Sequence, residues 1–130
     1  MRKEQILLAV LLVGSAVSVG GCVAVAVGAG AAGTVAYLKG DLEAVESRKL
    51  DEVHAATLKA VEELGLKVTQ DAKDALSATV VARDAQDKKV TITLRAATEQ
   101  TTKLLIRVGV FGSEAKSRLI YQKIRDNLQK

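Results

Sequence analysis

A chain of 130 residues with a formal charge of +4 has room for one domain, and for less once any targeting segment is removed. Tyr37, Tyr121 and Phe111 are its only Phe, Tyr or Trp residues, so a core must be built from Val, Leu, Ile and Ala. Arg2 and Lys3 against Glu4 supply +1 of the charge, and the remaining net of about +3 is too small to argue nucleic acid or membrane binding from net charge alone; a single cysteine excludes an internal disulfide.

Arg2 and Lys3 open the chain as a positive segment, Ile6 to Val13 follow as an uninterrupted apolar run, and small residues continue to Gly21. That order is the layout of a secretory signal, which is removed rather than folded, so residues 1–21 are expected to be a signal peptide. The next residues, Val19-Gly20-Gly21-Cys22, resemble the lipobox of bacterial lipoproteins. The resemblance implies that the Cys22 thiol receives a diacylglycerol and that cleavage leaves Cys22 as the first residue. The chain would then meet the membrane through an N-terminal lipid, held by buried methylenes at about 0.8 kcal/mol each. Val23 after the cysteine is compatible with outer-membrane sorting as known for enteric lipoproteins, so the expected location is the periplasmic side of a Gram-negative envelope, outer membrane before inner. The rival is an uncleaved single-pass helix, since Ile6 to Leu38 stays apolar for long enough to span a bilayer. Gly14, Gly20, Gly21, Gly28, Gly30 and Gly33 interrupt that run and weaken the rival.

Residues 22–33 form the lipidated cysteine and a Gly/Ala linker. Within them V-A-V-A-V-G-A-G-A-A-G contains a literal G-x-G-x-x-G dinucleotide fingerprint. That chemistry needs a helix opening at the third glycine and a second parallel strand ending in an acid. Gly40 closes any such helix within two turns, and no nucleotide or other cofactor is expected.

From Thr34 to Lys130 the pattern is that of a folded domain. Ala36, Leu38, Leu42 and Ala44 share one parity, which predicts one long half-buried strand. Leu50, Val53, Thr57, Ala60, Val61 and Leu64 recur at helical spacing, with Asp51 and Glu52 where the dipole favours acids and Gly65 as a left-handed stop. Four short alternating runs follow: Leu66, Val68 and Gln70; Leu76, Ala78, Val80 and Ala82; Val90, Ile92 and Leu94; Leu104, Ile106, Val108 and Val110. Polar turns at D-A-Q-D-K and T-E-Q-T join them as antiparallel hairpins. Ser113 caps a last helix with Glu114 in its first turn and Ser117, Ile120, Tyr121, Ile124 and Leu128 on its apolar face. The order strand, helix, four strands, helix predicts a two-layer α+β domain: a five-stranded antiparallel sheet with two helices on one face.

G-D-L-E-A at Gly40, L-D-E-V-H-A-A-T-L-K-A-V-E-E-L-G-L-K-V at Leu50 and I-R-V-G-V-F-G-S-E-A-K-S-R at Ile106 resemble small bacterial lipoproteins of domain-of-unknown-function family 3568. The likeness runs from Lys39 to the C-terminus; Ser113 stands where that family commonly has Asp, and His54 where a ring is common. The resemblance implies a lipid-anchored, periplasm-facing domain with no agreed activity.

Catalytic and metal chemistry find little to work with. His54 is the only histidine and borders the apolar face of its helix, where a ring packing on the sheet is expected; no metal set or nucleophile pair can be assembled around it. Glu62 and Glu63 point about 100° apart on a helix, and Asp71 and Asp74 read as turn solvation. The glycines of R-V-G-V-F-G read as backbone geometry, with an anion at the last helix's start as the sharper alternative. No enzyme is expected. The outward sheet face should carry Lys39, Lys67, Arg83, Lys89, Arg95, Lys103 and Arg107, interleaved with threonines and offset in part by Asp41, Glu43 and Asp71. Lys89, Arg95, Lys103 and Arg107 fall on the last two strands. They form either a solvated open face or a docking face for an anionic partner: lipid headgroups, polysaccharide or an acidic envelope protein.

Overall fold

The computed structural model describes residues 35–130. The expected signal segment 1–21, Cys22 and the linker to residue 33 lie outside the described residues, as does most of the rival membrane span. Among the described residues no helix is long and apolar enough to cross a membrane.

The elements run β1 (Val35–Leu38), β2 (Asp41–Glu46), α1 (Leu50–Glu63), β3 (Lys67–Lys73), β4 (Ser77–Arg83), β5 (Lys89–Thr98), β6 (Thr101–Val108) and α2 (Glu114–Leu128). Every strand pair is antiparallel, and the sheet order is β1-β2-β6-β5-β4-β3. α1 packs over β4 and β5 and against β3, α2 over β6 and β2, and the helices touch each other. Both therefore cover one face, which is the expected two-layer α+β arrangement.

The sheet has six strands rather than five, because the first expected strand is a hairpin. Lys39 and Gly40 both take positive φ, 54° and 88°, and form the two-residue turn whose twist suits a hairpin. Leu38 pairs with Asp41, and Tyr37 with Leu42, so every pair joins an odd to an even position. The inward parity is thereby inverted before the turn: Val35 and Tyr37 pack on the core, and Leu38 points outward, 62% exposed.

The inward residues of β2, β4, β5 and β6 are buried as their alternation predicts. Leu42, Val80, Ile92, Leu94, Leu104 and Ile106 lose all exposure beneath Val53, Val61 and Ile124 from the helices. At about 1.5–3 kcal/mol for each large aliphatic side chain, this layer dominates the stabilisation. Several other residues of the expected inward parity are not in it. Leu76 precedes the start of β4 and is 71% exposed. Val110 follows the end of β6 and is also exposed. The Leu66-Val68-Gln70 parity breaks at a bulge between Val68 and Gln70, beyond which Asp71 and Lys73 pair with the inward residues Val80 and Ala78. All of β3 is exposed, a charged and irregular edge of the kind that discourages strand addition.

The helix ends follow their local chemistry. Leu66 donates its N–H to the Val61 carbonyl and Gly65 to that of Glu62, at 2.9 and 3.0 Å, a paired C-terminal cap around the left-handed Gly65. Ser113 is the N-cap of α2, its hydroxyl accepting from the Lys116 amide at 3.4 Å. Lys49 supplies no side-chain cap to α1, whose first turn is left to Asp51 and Glu52.

Candidate functional site

With both helices on one side, the opposite sheet face is open. Burial of Val90, Ile92, Leu94, Leu104 and Ile106 turns Lys89, Thr91, Thr93 and Arg95 of β5, and Lys103, Leu105 and Arg107 of β6, toward that face. The register sets Arg95 against Lys103 and Thr91 against Arg107. The four expected basic residues thus share a face but divide into two ends. Lys89 and Arg95 are six positions apart on one strand, roughly 20 Å at the usual rise.

Neighbours engage them to different extents. Lys103 leans to Glu43, Nζ to Oε1 3.9 Å, which relieves its like-charge pairing with Arg95. Arg107 is held on all sides: one terminal nitrogen donates to Asp41 Oδ1 at 3.0 Å and to the Lys39 carbonyl at 3.1 Å, the other to the Val110 carbonyl at 2.6 Å. It ties the β1–β2 turn to the β6–α2 loop. Among the described residues neither Lys89 nor Arg95 forms an ion pair. A groove of about 270 Å³ lies between the two ends, lined by Asp41, Thr91, Thr93, Arg95, Leu105 and Arg107. The Arg95 guanidinium with the Thr91 and Thr93 hydroxyls beside it offers donors of the kind an oxyanion takes, while Arg107 has already given three N–H groups to its neighbours.

The same corner explains the glycines of V-G-V-F-G. A Cβ on Gly112 would stand 2.3 Å from the Gly40 carbonyl oxygen and 2.7 Å from the Tyr37 hydroxyl. Gly40 is closed in reciprocally by the Phe111 carbonyl at 2.7 Å. Two backbones meet there with no room for a side chain, so Gly112 serves the approach of a turn rather than of a helix, while Gly109 faces only the Lys88 side chain at φ 74°.

Other titratable groups serve the fold. His54 is half-buried on α1, and its Nε2 lies 2.7 Å from Asp71 Oδ1, a bridge to the edge strand rather than simple packing on the sheet. Asp71 is accordingly a strand residue, not a turn residue. Asp74 and Asp84 do organise turns: the first accepts from the amides of Leu76 and Ser77, the second from those of Lys88 and Gln86. Those backbone donors hold both carboxyls below the usual range.

Glu46 belongs to no motif in the sequence, although the parity of Leu42 and Ala44 carries on to it. It is buried under α2, where the Tyr121 hydroxyl donates to its carboxylate and Arg125 stands at 3.7 Å. Burial, and then that hydrogen bond, push the Tyr121 hydroxyl well above its ordinary range. A phenol kept neutral beside a paired carboxylate braces α2 on β2; it supplies no base in the neutral range.

At one end the layers part around an apolar cleft of about 270 Å³, walled by Leu64, Leu66, Val90, Val108 and Leu119 with Asp84 and Lys116 at its rim. Among the described residues no group of three or more His, Cys, Asp and Glu is placed to hold a metal ion.

No curated protein matches the chain. Residues 5–127, nearly its whole length, match the family described as "Protein of unknown function (DUF3568)", and the chain belongs to that family.

Proposed function

We propose that this protein is a lipid-anchored envelope domain that acts as a structural or accessory binding component rather than as a catalyst. The anchor is Cys22, modified after removal of residues 1–21, and the domain faces the periplasm of a Gram-negative bacterium, on the outer membrane before the inner. V-G-G-C after a charged and then apolar segment carries this reading. Intact-mass measurement of the membrane fraction should show loss of Met1 to Gly21 and gain of acyl chains. Cys22→Ser should leave the full-length, unacylated precursor. An unprocessed, unmodified wild-type chain as the main species would instead support a single-pass protein.

A second reading is favoured by the groove between Arg95 and Arg107: the open sheet face binds an anionic envelope component such as a polysaccharide or an acidic protein. Arg107 is a poor probe, because it also ties two loops together. Lys89 and Arg95 are better ones. The purified chain in detergent should bind an anionic envelope polysaccharide with affinity that falls steeply with salt, and Lys89→Gln with Arg95→Gln should weaken binding several-fold without changing the thermal midpoint. Binding that is absent, or indifferent to both salt and the substitutions, leaves the face merely solvated.

A further inference from the structure

Three exposed large apolar side chains lie at the end of the sheet that Arg107 joins to this groove. Phe111 and Val110 are 90% and 79% exposed in the β6–α2 loop, and Leu38 stands outward beside them at the β1–β2 turn. Gly40 and Gly112 bring the two loops into backbone contact, which sets Leu38, two residues before Gly40, next to the loop that carries Val110 and Phe111. The loop that carries them is not loose. Arg107 holds the Val110 and Lys39 carbonyls together, Ser113 caps the following helix, and Lys88 lies over Gly109, 3.2 Å from where a Cβ would be. A rigid loop thus presents the only phenylalanine of the chain to the surroundings.

The rim of this tip is basic. A cavity of about 740 Å³ opens beside Phe111 and Val110, walled by Arg83, Lys88, Lys89 and Thr91. Lys39 stands at the adjoining turn. Arg83 is partly offset by Asp87 at 3.9 Å and Arg107 by Asp41 at 3.0 Å, whereas the acid Asp84 turns to Lys116 at 3.4 Å. Lys39, Lys88 and Lys89 therefore leave a net positive collar around an apolar point. Apolar side chains that enter the acyl boundary, ringed by amines that meet phosphate, are the chemistry of interfacial membrane contact.

We propose that the Leu38–Val110–Phe111 tip inserts into the surface of an anionic phospholipid bilayer, with Lys39, Lys88 and Lys89 on the headgroups. The inference rests on the anchoring through Cys22, which holds the domain against a bilayer and raises the local concentration of its surface. The tether allows the geometry. Val35 and Leu38 are the two ends of one four-residue strand, roughly 10 Å apart, and the thirteen residues from Cys22 to Val35 span up to about 45 Å when fully extended. The domain would then be fastened to the bilayer at two points, the acyl chains and the tip.

The chain contains no tryptophan, so Phe111→Trp creates a single fluorescent reporter at an exposed position. The protein extracted from the membrane fraction of cells expressing the whole chain is reconstituted into vesicles of phosphatidylglycerol with phosphatidylcholine, or of phosphatidylcholine alone, with and without lipids brominated on the acyl chain. In the anionic vesicles the emission of the introduced indole is expected to shift to the blue and to be quenched by the brominated lipid. Both effects should shrink in phosphatidylcholine, at high salt and when Lys88→Gln and Lys89→Gln are added. Leu76→Trp, at the opposite end and also exposed, should stay unshifted and unquenched. An unquenched Phe111→Trp in anionic vesicles overturns the proposal and leaves the tip to a protein partner. Quenching that ignores lipid charge, or that is equal at Leu76→Trp, overturns it as well. Intact mass of the same sample separates the two readings: acylation with a water-exposed tip counts against the tip alone, and a quenched tip without acylation counts against the anchor alone.

Discussion

Ile106→Asp is expected to unfold the domain. Ile106 is fully buried on β6, paired with Leu42 of β2 on one side and Ile92 of β5 on the other. A carboxylate there would sit in the middle of the aliphatic layer, and an uncompensated buried charge costs on the order of 3–5 kcal/mol. The lost isoleucine packing adds to that cost. A domain of this size has about 5–15 kcal/mol in total, so the variant should be largely unfolded or melt far below the parent. Ile106→Val, which keeps the chemistry and removes one methylene, should cost only about 0.5–1.5 kcal/mol. Far-ultraviolet circular dichroism with a thermal ramp distinguishes them. An Asp variant with the parental midpoint would mean that β6 presents its other face to the helices, and the basic face would be reassigned with it.

Gly112→Ala is the second large effect. Its Cβ would collide with the Gly40 carbonyl oxygen and with the Gly40 Cα at 2.5 Å, and the backbone is held at φ 83°. Neither contact can be relieved by rotating a side chain, so the hairpin turn and the β6–α2 loop must separate, and Arg107 loses the geometry that spans them. A loss of about 2–4 kcal/mol is expected, close-approach strain adding to the left-handed backbone. At about 4–8 °C for each kcal/mol, that is plain in a melting curve. Gly65→Ala is the comparison that isolates the cause. Its φ is 73°, but nothing lies within 4 Å of the added carbon, so only the conformational cost of about 1–2 kcal/mol applies. Amide exchange should quicken in β1 and β2 for Gly112→Ala and near the end of α1 for Gly65→Ala. Equal destabilisation by both would show that the two loops are not in fixed contact.

The parts of the fold legible in the sequence are those set by neighbours a few residues apart. Gly65 and Ser113 mark helix ends because their roles depend on backbone groups within one turn, and the alternation of β4, β5 and β6 survives because each strand buries one face. The β1–β2 hairpin is hidden because only Gly40 advertises it. Lys39 also adopts positive φ, uncommon for a residue with a Cβ, while in letters the alternation runs through the turn unbroken. At the other end Val108-x-Val110 continues the period of two although the strand has already ended. The candidate site divides likewise. Parity is enough to put Lys89, Arg95, Lys103 and Arg107 on one face. That Arg107 is spoken for by Asp41, 66 positions earlier, and Glu46 by Tyr121, 75 positions later, depends on strand order and helix placement that no local pattern records.

The two-residue hairpin at the edge of the sheet bears on how the domain would respond to force. Among the described residues β1 is hydrogen-bonded on one side only, to β2 through four residue pairs, and its first residue is where the chain arrives from the N-terminal segment. Tension along that segment would load Val35 first and separate β1 from β2 one pair at a time, a peeling motion that meets less resistance than shearing all of the bonds together. The tear would run toward Lys39 and Gly40, and there it would reach the junction in which Gly40 is pressed against Gly112 and Arg107 grips both loops. Beyond that latch lie β2 and the aliphatic layer. A tethered domain of this design would give up one short strand as slack and keep the rest intact.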